Sequence, residues 1–140
     1  MRTSQQSYIA GQWVDPADAR AIDVIDPATA RPYARLAIGG PADVDRAVSA
    51  AKQAFDTYSR WTVDERVALL RRVLEIYQRR YDEVAHTISQ EMGAPIAFAR
   101  AMQAAVGTAH LEQTIRALQA FRFSTQTDSL LVSHEPIGVC

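Results

Sequence analysis

The sequence predicts an α/β fold in which small antiparallel strands come first, long helices follow, and a further sheet begins at the end. Three observations carry this. Short strand-like runs separated by Gly and Pro turn signals fill residues 1–40. Apolar residues at helical spacing then run from Val44 to Phe55 and from Val67 to Ile88. Two short apolar runs, Leu130–His134 and Ile137–Cys140, flank Pro136. The 140 residues, 48% hydrophobic and 22% charged, suffice for one soluble globular domain.

Residues 1–6 are polar and read as a frayed end. Tyr8–Val14 reads as a hairpin with Ala10-Gly11 at its turn, where Gly11 supplies the positive φ that a tight turn requires. Ala21–Ile25 is a second strand, stopped by Asp26-Pro27. Tyr33–Ile38 is a third, stopped by Gly39-Gly40-Pro41. The spacing suggests an antiparallel meander.

Val44, Ala47, Val48, Ala51 and Phe55 lie on one helix face, with Asp43 and Asp45 in the first turn, where carboxylates suit the positive end of the dipole. Thr62 and Glu65 form a capping box for the next helix. Its stripe, Val67, Leu70, Leu74, Tyr77, Tyr81, Val84 and Ile88, reaches the stop at Gly93. One continuous helix of about 45 Å fits this pattern. A break near Arg80–Asp82, with Asp82 as a fresh cap, fits it equally. Pro95 opens a third helical region through about Phe121, loosened at Gly107. Ser124–Ser129 reads as a polar loop, Leu130–His134 as a strand, and Ile137–Cys140 as a buried strand broken off as it enters a sheet. On that pattern the chain is expected to be the opening section of a larger protein.

Candidate chemistry is sparse. A net charge of -1 gives no basic footprint for nucleic acid. No run approaches the roughly 20 apolar residues of a membrane span. The glycines form neither a dinucleotide loop nor a P-loop. His86, His110 and His134 have no second His or Cys at metal-ligand spacing, and His86 and His110 read as helix-surface or packing residues. Cys140, the only cysteine, sits in an apolar run and reads as a small buried residue rather than a nucleophile. A single cysteine also suits a reducing compartment, and a cytoplasmic location is expected. Arg66, Arg71, Arg72, Arg79 and Arg80 avoid the apolar stripe and read as a solvated face, with Glu75 placed to pair with Arg71 and Arg79. The Tyr77 and Tyr81 pair reads as core.

In their order and spacing, the residues resemble the aldehyde dehydrogenase family. Tyr8-Ile9-Ala10-Gly11-Gln12-Trp13-Val14 is similar to the family's opening I-x-G-x-W hairpin, and Val24-Ile25-Asp26-Pro27-Ala28-Thr29 to its V-x-N-P-A-T strand end. Asp43 to Phe55 resembles its D-V-D-x-A-V-x-A-A-x-x-A-F helix, followed by Trp61 and Glu65-Arg66. Glu91-Met92-Gly93-Ala94-Pro95 is similar to D/E-x-G-K-P, and Glu135-Pro136-Ile137-Gly138-Val139 to E-P-x-G-V. Asp26 replaces the usual Asn and Ala94 the usual Lys.

The resemblance implies the N-terminal part of that fold. Residues 1–140 would be an incomplete cofactor-binding domain, including the start of its sheet, and 124–136 would belong to an oligomerisation sheet. Intact relatives oxidise an aldehyde to a carboxylic acid through a cysteine thioester, with NAD or NADP as hydride acceptor. Their nucleophile, general base and cofactor motifs follow the segment matched here. The resemblance therefore implies no catalytic and no cofactor-binding residue in this chain, and no activity or cofactor for it alone. Its expected partners are the remainder of the polypeptide and further copies in a homo-oligomer. A stand-alone, non-catalytic binding or oligomerisation module is the alternative. Some relatives hold Na+ or K+ at positions matching Val24, Ile25 and Glu91. The resemblance assigns those three here as two backbone carbonyls and one carboxylate, the last longer by a methylene than the commoner Asp.

Overall fold

A computed structural model describes residues 2–4, 6–18 and 20–139. The expectation of a small buried Cys140 falls outside them. In chain order, the strands β1 (Arg2–Ser4), β2 (Ser7–Ile9), β3 (Gln12–Val14), β4 (Ala21–Asp26) and β5 (Arg31–Ala37) precede the helices α1 (Pro41–Tyr58), α2 (Val63–Arg79) and α3 (Tyr81–Met92). A short α4 (Ile96–Phe98) runs through a π-helical segment, Ala99–Gln103, into α5 (Ala104–Ala120), and β6 (Ser124–Gln126) and β7 (Leu131–Ser133) follow.

The β2–β3 hairpin forms as the turn signal requires. Ala10 and Gly11 both take positive φ, 52° and 80°, which matches the twist of a tight hairpin. Tyr8 faces Trp13 across the pair, their rings edge-on at 5.2 Å. The single meander expected from spacing is instead two units. The hairpin stands apart, while β4 and β5 pair antiparallel and β1 adds to β5 in parallel. The frayed end is likewise corrected at Arg2–Ser4. Backbone N–H and C=O groups there bond the open edge of β5, an interaction that side-chain polarity does not report. β5 itself spans Arg31–Ala37, where Tyr33–Ile38 was expected.

The helical half follows its local signals closely. Thr62 and Glu65 cap α2 reciprocally: Glu65 N–H donates to Thr62 Oγ1 at 3.2 Å, and Thr62 N–H to Glu65 Oε2 at 2.7 Å. The long stripe breaks at Arg80, and Gly93 ends α3 in the left-handed conformation with φ 72°. The N-cap of α3 is Arg80, not Asp82. The Asp82 carboxylate instead accepts from Arg100 Nε at 2.9 Å, while its carbonyl accepts from His86 Nδ1 at 2.7 Å. Glu75 forms no ion pair with Arg71 or Arg79 among the described residues; the pairs on these helices are Arg80–Glu83 and Arg100–Asp82.

Three further expectations are corrected. The loosening in the last helical region lies at Ala99–Gln103, not at Gly107, which gives close passage to Tyr77. Ser124–Gln126 is a strand within the expected loop, paired with β7 from Ser124↔Ser133 to Gln126↔Leu131. Residues 134–139 form no strand, and Ile137 is 94% exposed, because no second strand among the described residues lies beside it. The buried hydrophobic core is Val67, Ala85, Ala99, Ala104 and Ile115, contributed by α2, α3, the π segment and α5. Three alanines in that set let the helices approach closely without a large side chain between them.

Candidate functional site

The three residues assigned by resemblance lie where β4 ends and α3 ends. The turn after β4 is built by Asp26. Its carboxylate accepts from Ala28 N–H at 2.8 Å, and its carbonyl from Ala30 N–H at 2.8 Å. α3 closes with Gly93 N–H donating to the Ser89 carbonyl at 2.9 Å and Ser89 Oγ to the Ala94 carbonyl at 2.7 Å. The two ends meet at Gly93 and Pro27, where a Cβ on Gly93 would lie 3.0 Å from Pro27 Cγ.

The β4–β5 register shifts between Val24 and Ile25, which pair with Ala34 and Pro32, so Tyr33 is the extra residue on β5. Pro32 has no N–H to donate at that register. Glu91 is exposed and has no hydrogen-bond or ion-pair partner among the described residues, and the last turn of α3 carries no basic residue. No basic residue of α3 itself thus stands against the negative end of its dipole at this corner. An all-oxygen donor set of carbonyls and one carboxylate suits a hard monovalent cation. No group of three His, Cys, Asp or Glu able to hold a metal occurs among the described residues. His86 and His110 lie exposed on helix surfaces, and His134 sits edge-on to Phe121.

Three polar clasps went unread in the sequence. Asp43, a first-turn carboxylate, is buried. It accepts from Gly40 N–H at 2.9 Å, from Ala17 N–H at 3.1 Å and from Arg46 Nη2 at 2.7 Å. The Gly40 and Ala17 bonds, helped by Arg46, hold its carboxyl below the ordinary range against the opposing effect of burial. Arg66, read as part of a solvated face, closes the α1–α2 corner through the Tyr58 and Trp61 carbonyls. Tyr77 and Tyr81 do pack between helices, but each hydroxyl also serves a carbonyl of the last helical region. Burial, with Tyr81 adding to it, raises the Tyr77 phenol. The Asp43 clasp had a partial signal in the Gly-Pro-x-Asp start of α1; the Arg66 clasp reaches back to nearby backbone carbonyls that no residue type marks, and the tyrosine clasps span 27 and 19 residues.

A sequence profile described as the aldehyde dehydrogenase family matches residues 13–140. The chain belongs to the aldehyde dehydrogenase family. It is 39% identical over its whole length to a 3-succinoylsemialdehyde-pyridine dehydrogenase from a Pseudomonas species, of which it covers 30%. An aldehyde dehydrogenase crystal structure from Bartonella henselae superposes with a TM-score of 0.88 at 38% identity, over 92% of this chain and 27% of that one. A variant of aldehyde dehydrogenase C from Pseudomonas syringae, in complex with NAD+ and octanal, gives 0.85 at 40% identity over 88% and 25%. The chain thus spans about 30% of the length of the curated relatives it matches. As an aldehyde dehydrogenase family chain it has the α/β architecture of the N-terminal part of those structures. No helix among the described residues is long and apolar enough to cross a membrane.

Proposed function

We propose that this chain is scaffold of an NAD(P)-dependent aldehyde dehydrogenase: part of the cofactor-binding domain, with 124–136 contributing to an oligomerisation sheet. The whole enzyme would convert an aldehyde to a carboxylic acid through a cysteine thioester, NAD(P)+ accepting the hydride. It would work in the cytoplasm as a homo-oligomer. The observation that carries the reading is the family match along nearly the whole chain combined with an unfinished surface. The accessible surface is 10656 Å², against about 7,200 Å² for a folded monomer of this mass. The excess includes Trp13, Phe98, Met102 and Leu131, all more than half exposed. Surface of that extent is what further polypeptide of the same enzyme would cover.

The family resemblance, together with a Glu91 carboxylate left without a partner among the described residues, supports a monovalent cation at the β4–α3 corner, held by the Val24 and Ile25 carbonyls and that carboxylate. A cation there would tie the strand end to the helix end. The alternative, a stand-alone non-catalytic module, is favoured by one feature: both strands of the β6–β7 ribbon are exposed along their length and available to a partner.

The deciding experiment is aldehyde-dependent NADH formation by the purified 140-residue chain, with thiol-blocked protein as control. No turnover is expected. Turnover at an ordinary enzymatic rate would defeat the scaffold reading and require a nucleophile within these residues.

A further inference from the structure

Ala99 and Ala104 are both 0% exposed, yet five residues apart. In a regular α-helix, residues five apart point about 140° away from each other. A regular helix would therefore set the two on different faces. The π segment resolves this, because the Ala104 N–H reaches back to the Ala99 carbonyl rather than to that of Arg100. Arg100's carbonyl thereby loses the donor a regular helix would give it. The Tyr81 hydroxyl takes that place, and the Tyr77 hydroxyl donates to the Ala104 carbonyl at 2.8 Å.

The two rings stand edge-on with centroids 6.3 Å apart, so each fixes the other's position. Gly107 leaves the space that Tyr77 occupies, since a Cβ there would overlap its hydroxyl. Arg100, which a regular helix aligned on Ala104 would turn toward the core, reaches Asp82 at 2.9 Å instead.

We propose that Tyr77 and Tyr81 form a register lock: they hold a one-residue insertion between α4 and α5, and so fix which face of residues 96–102 points outward. Phe98 and Met102 are 51% and 56% exposed on that face. The lock thus sets which apolar side chains that face exposes.

Deletion of Ala101 tests the lock. It closes the alanine spacing from five to four, keeps both on one face of a regular helix, and returns a backbone donor to Arg100's carbonyl. In the full chain, Tyr81→Phe should lower the folding equilibrium constant about tenfold. In the deletion background it should have almost no effect. An equal loss in both backgrounds would overturn the proposal. A second readout is independent of the deletion: amide exchange at Ala104 should quicken about tenfold in Tyr81→Phe as the π turn opens. Unchanged exchange there would overturn it as well.

Discussion

Arg66, in the first turn of α2, donates from Nη2 to the carbonyl of Tyr58, the last residue of α1, at 2.8 Å. Its Nε donates to the Trp61 carbonyl at 3.2 Å, and its guanidinium lies 4.6 Å from the Tyr58 ring centre. α1 has no basic residue in its own last turn. The next helix therefore supplies the cation that its C-terminal carbonyls attract.

Arg66→Ala should cost about 1–2 kcal/mol, measured by urea unfolding. Arg66→Lys should recover only part of that, because an ammonium cannot reach the Tyr58, Ser59 and Trp61 carbonyls and stack on the ring at once. Full recovery by Lys would show that charge alone matters at this corner.

Asp43 sets an acid limit. Its carboxyl is depressed in the fold by the Gly40 and Ala17 N–H groups first, then Arg46. A depressed group contributes stability that is present above its unfolded pKa and is lost as pH falls through the folded one. Glu65, depressed by the Thr62 N–H and hydroxyl, acts in the same direction. Stability should therefore fall below about pH 4. Asp43→Asn should be less stable at neutral pH and show a flatter acid limb. An acid limb unchanged in that variant would place the titration elsewhere.

Gly107→Ala separates propensity from packing. Helix propensity alone favours Ala by about 1 kcal/mol. The Tyr77 ring occupies the space a Cβ needs, so the net change should be a loss of about 1–3 kcal/mol. Thermal unfolding gives the sign, and a stabilised variant would mean that Tyr77 moves aside freely.

What could be read in the sequence was local. Thr62 and Glu65 announce α2 because both halves of the cap lie within four residues, and Gly93 marks a stop because its backbone turns left-handed there. The Ala17–Asp43 bond spans 26 residues, and β1 reaches β5 through backbone groups that every residue carries. The π insertion did have a trace, the five-residue spacing of Ala99 and Ala104 with Arg100 between them. Backbone carbonyls have no signature in sequence, so Val24 and Ile25 entered only through family resemblance.

Glu91 gives the cation assignment its test. In the whole enzyme, Glu91→Gln should lower the unfolding temperature in Na+ or K+ buffer and leave it unchanged in a bulky organic-cation buffer. Gln keeps the length and the carbonyl oxygen and removes only the charge. Equal losses in both buffers would assign the carboxylate to helix-end packing instead.

The β6–β7 ribbon predicts association. Leu130, Leu131 and Val132 are 60%, 62% and 45% exposed, and the ribbon is two short strands whose outer backbone edges face solvent. Exposed apolar strands with open edges recruit further strands. Sedimentation of the 140-residue chain over a concentration series should show reversible growth in mass. Leu131→Lys should shift that growth to higher concentration, since a charged edge residue opposes edge-to-edge pairing without disturbing any described buried contact. A monomer at all concentrations, unfolding cooperatively at high temperature, would show that these residues are stable as exposed surface and would count against both an oligomeric role for 124–136 and an unfinished interface.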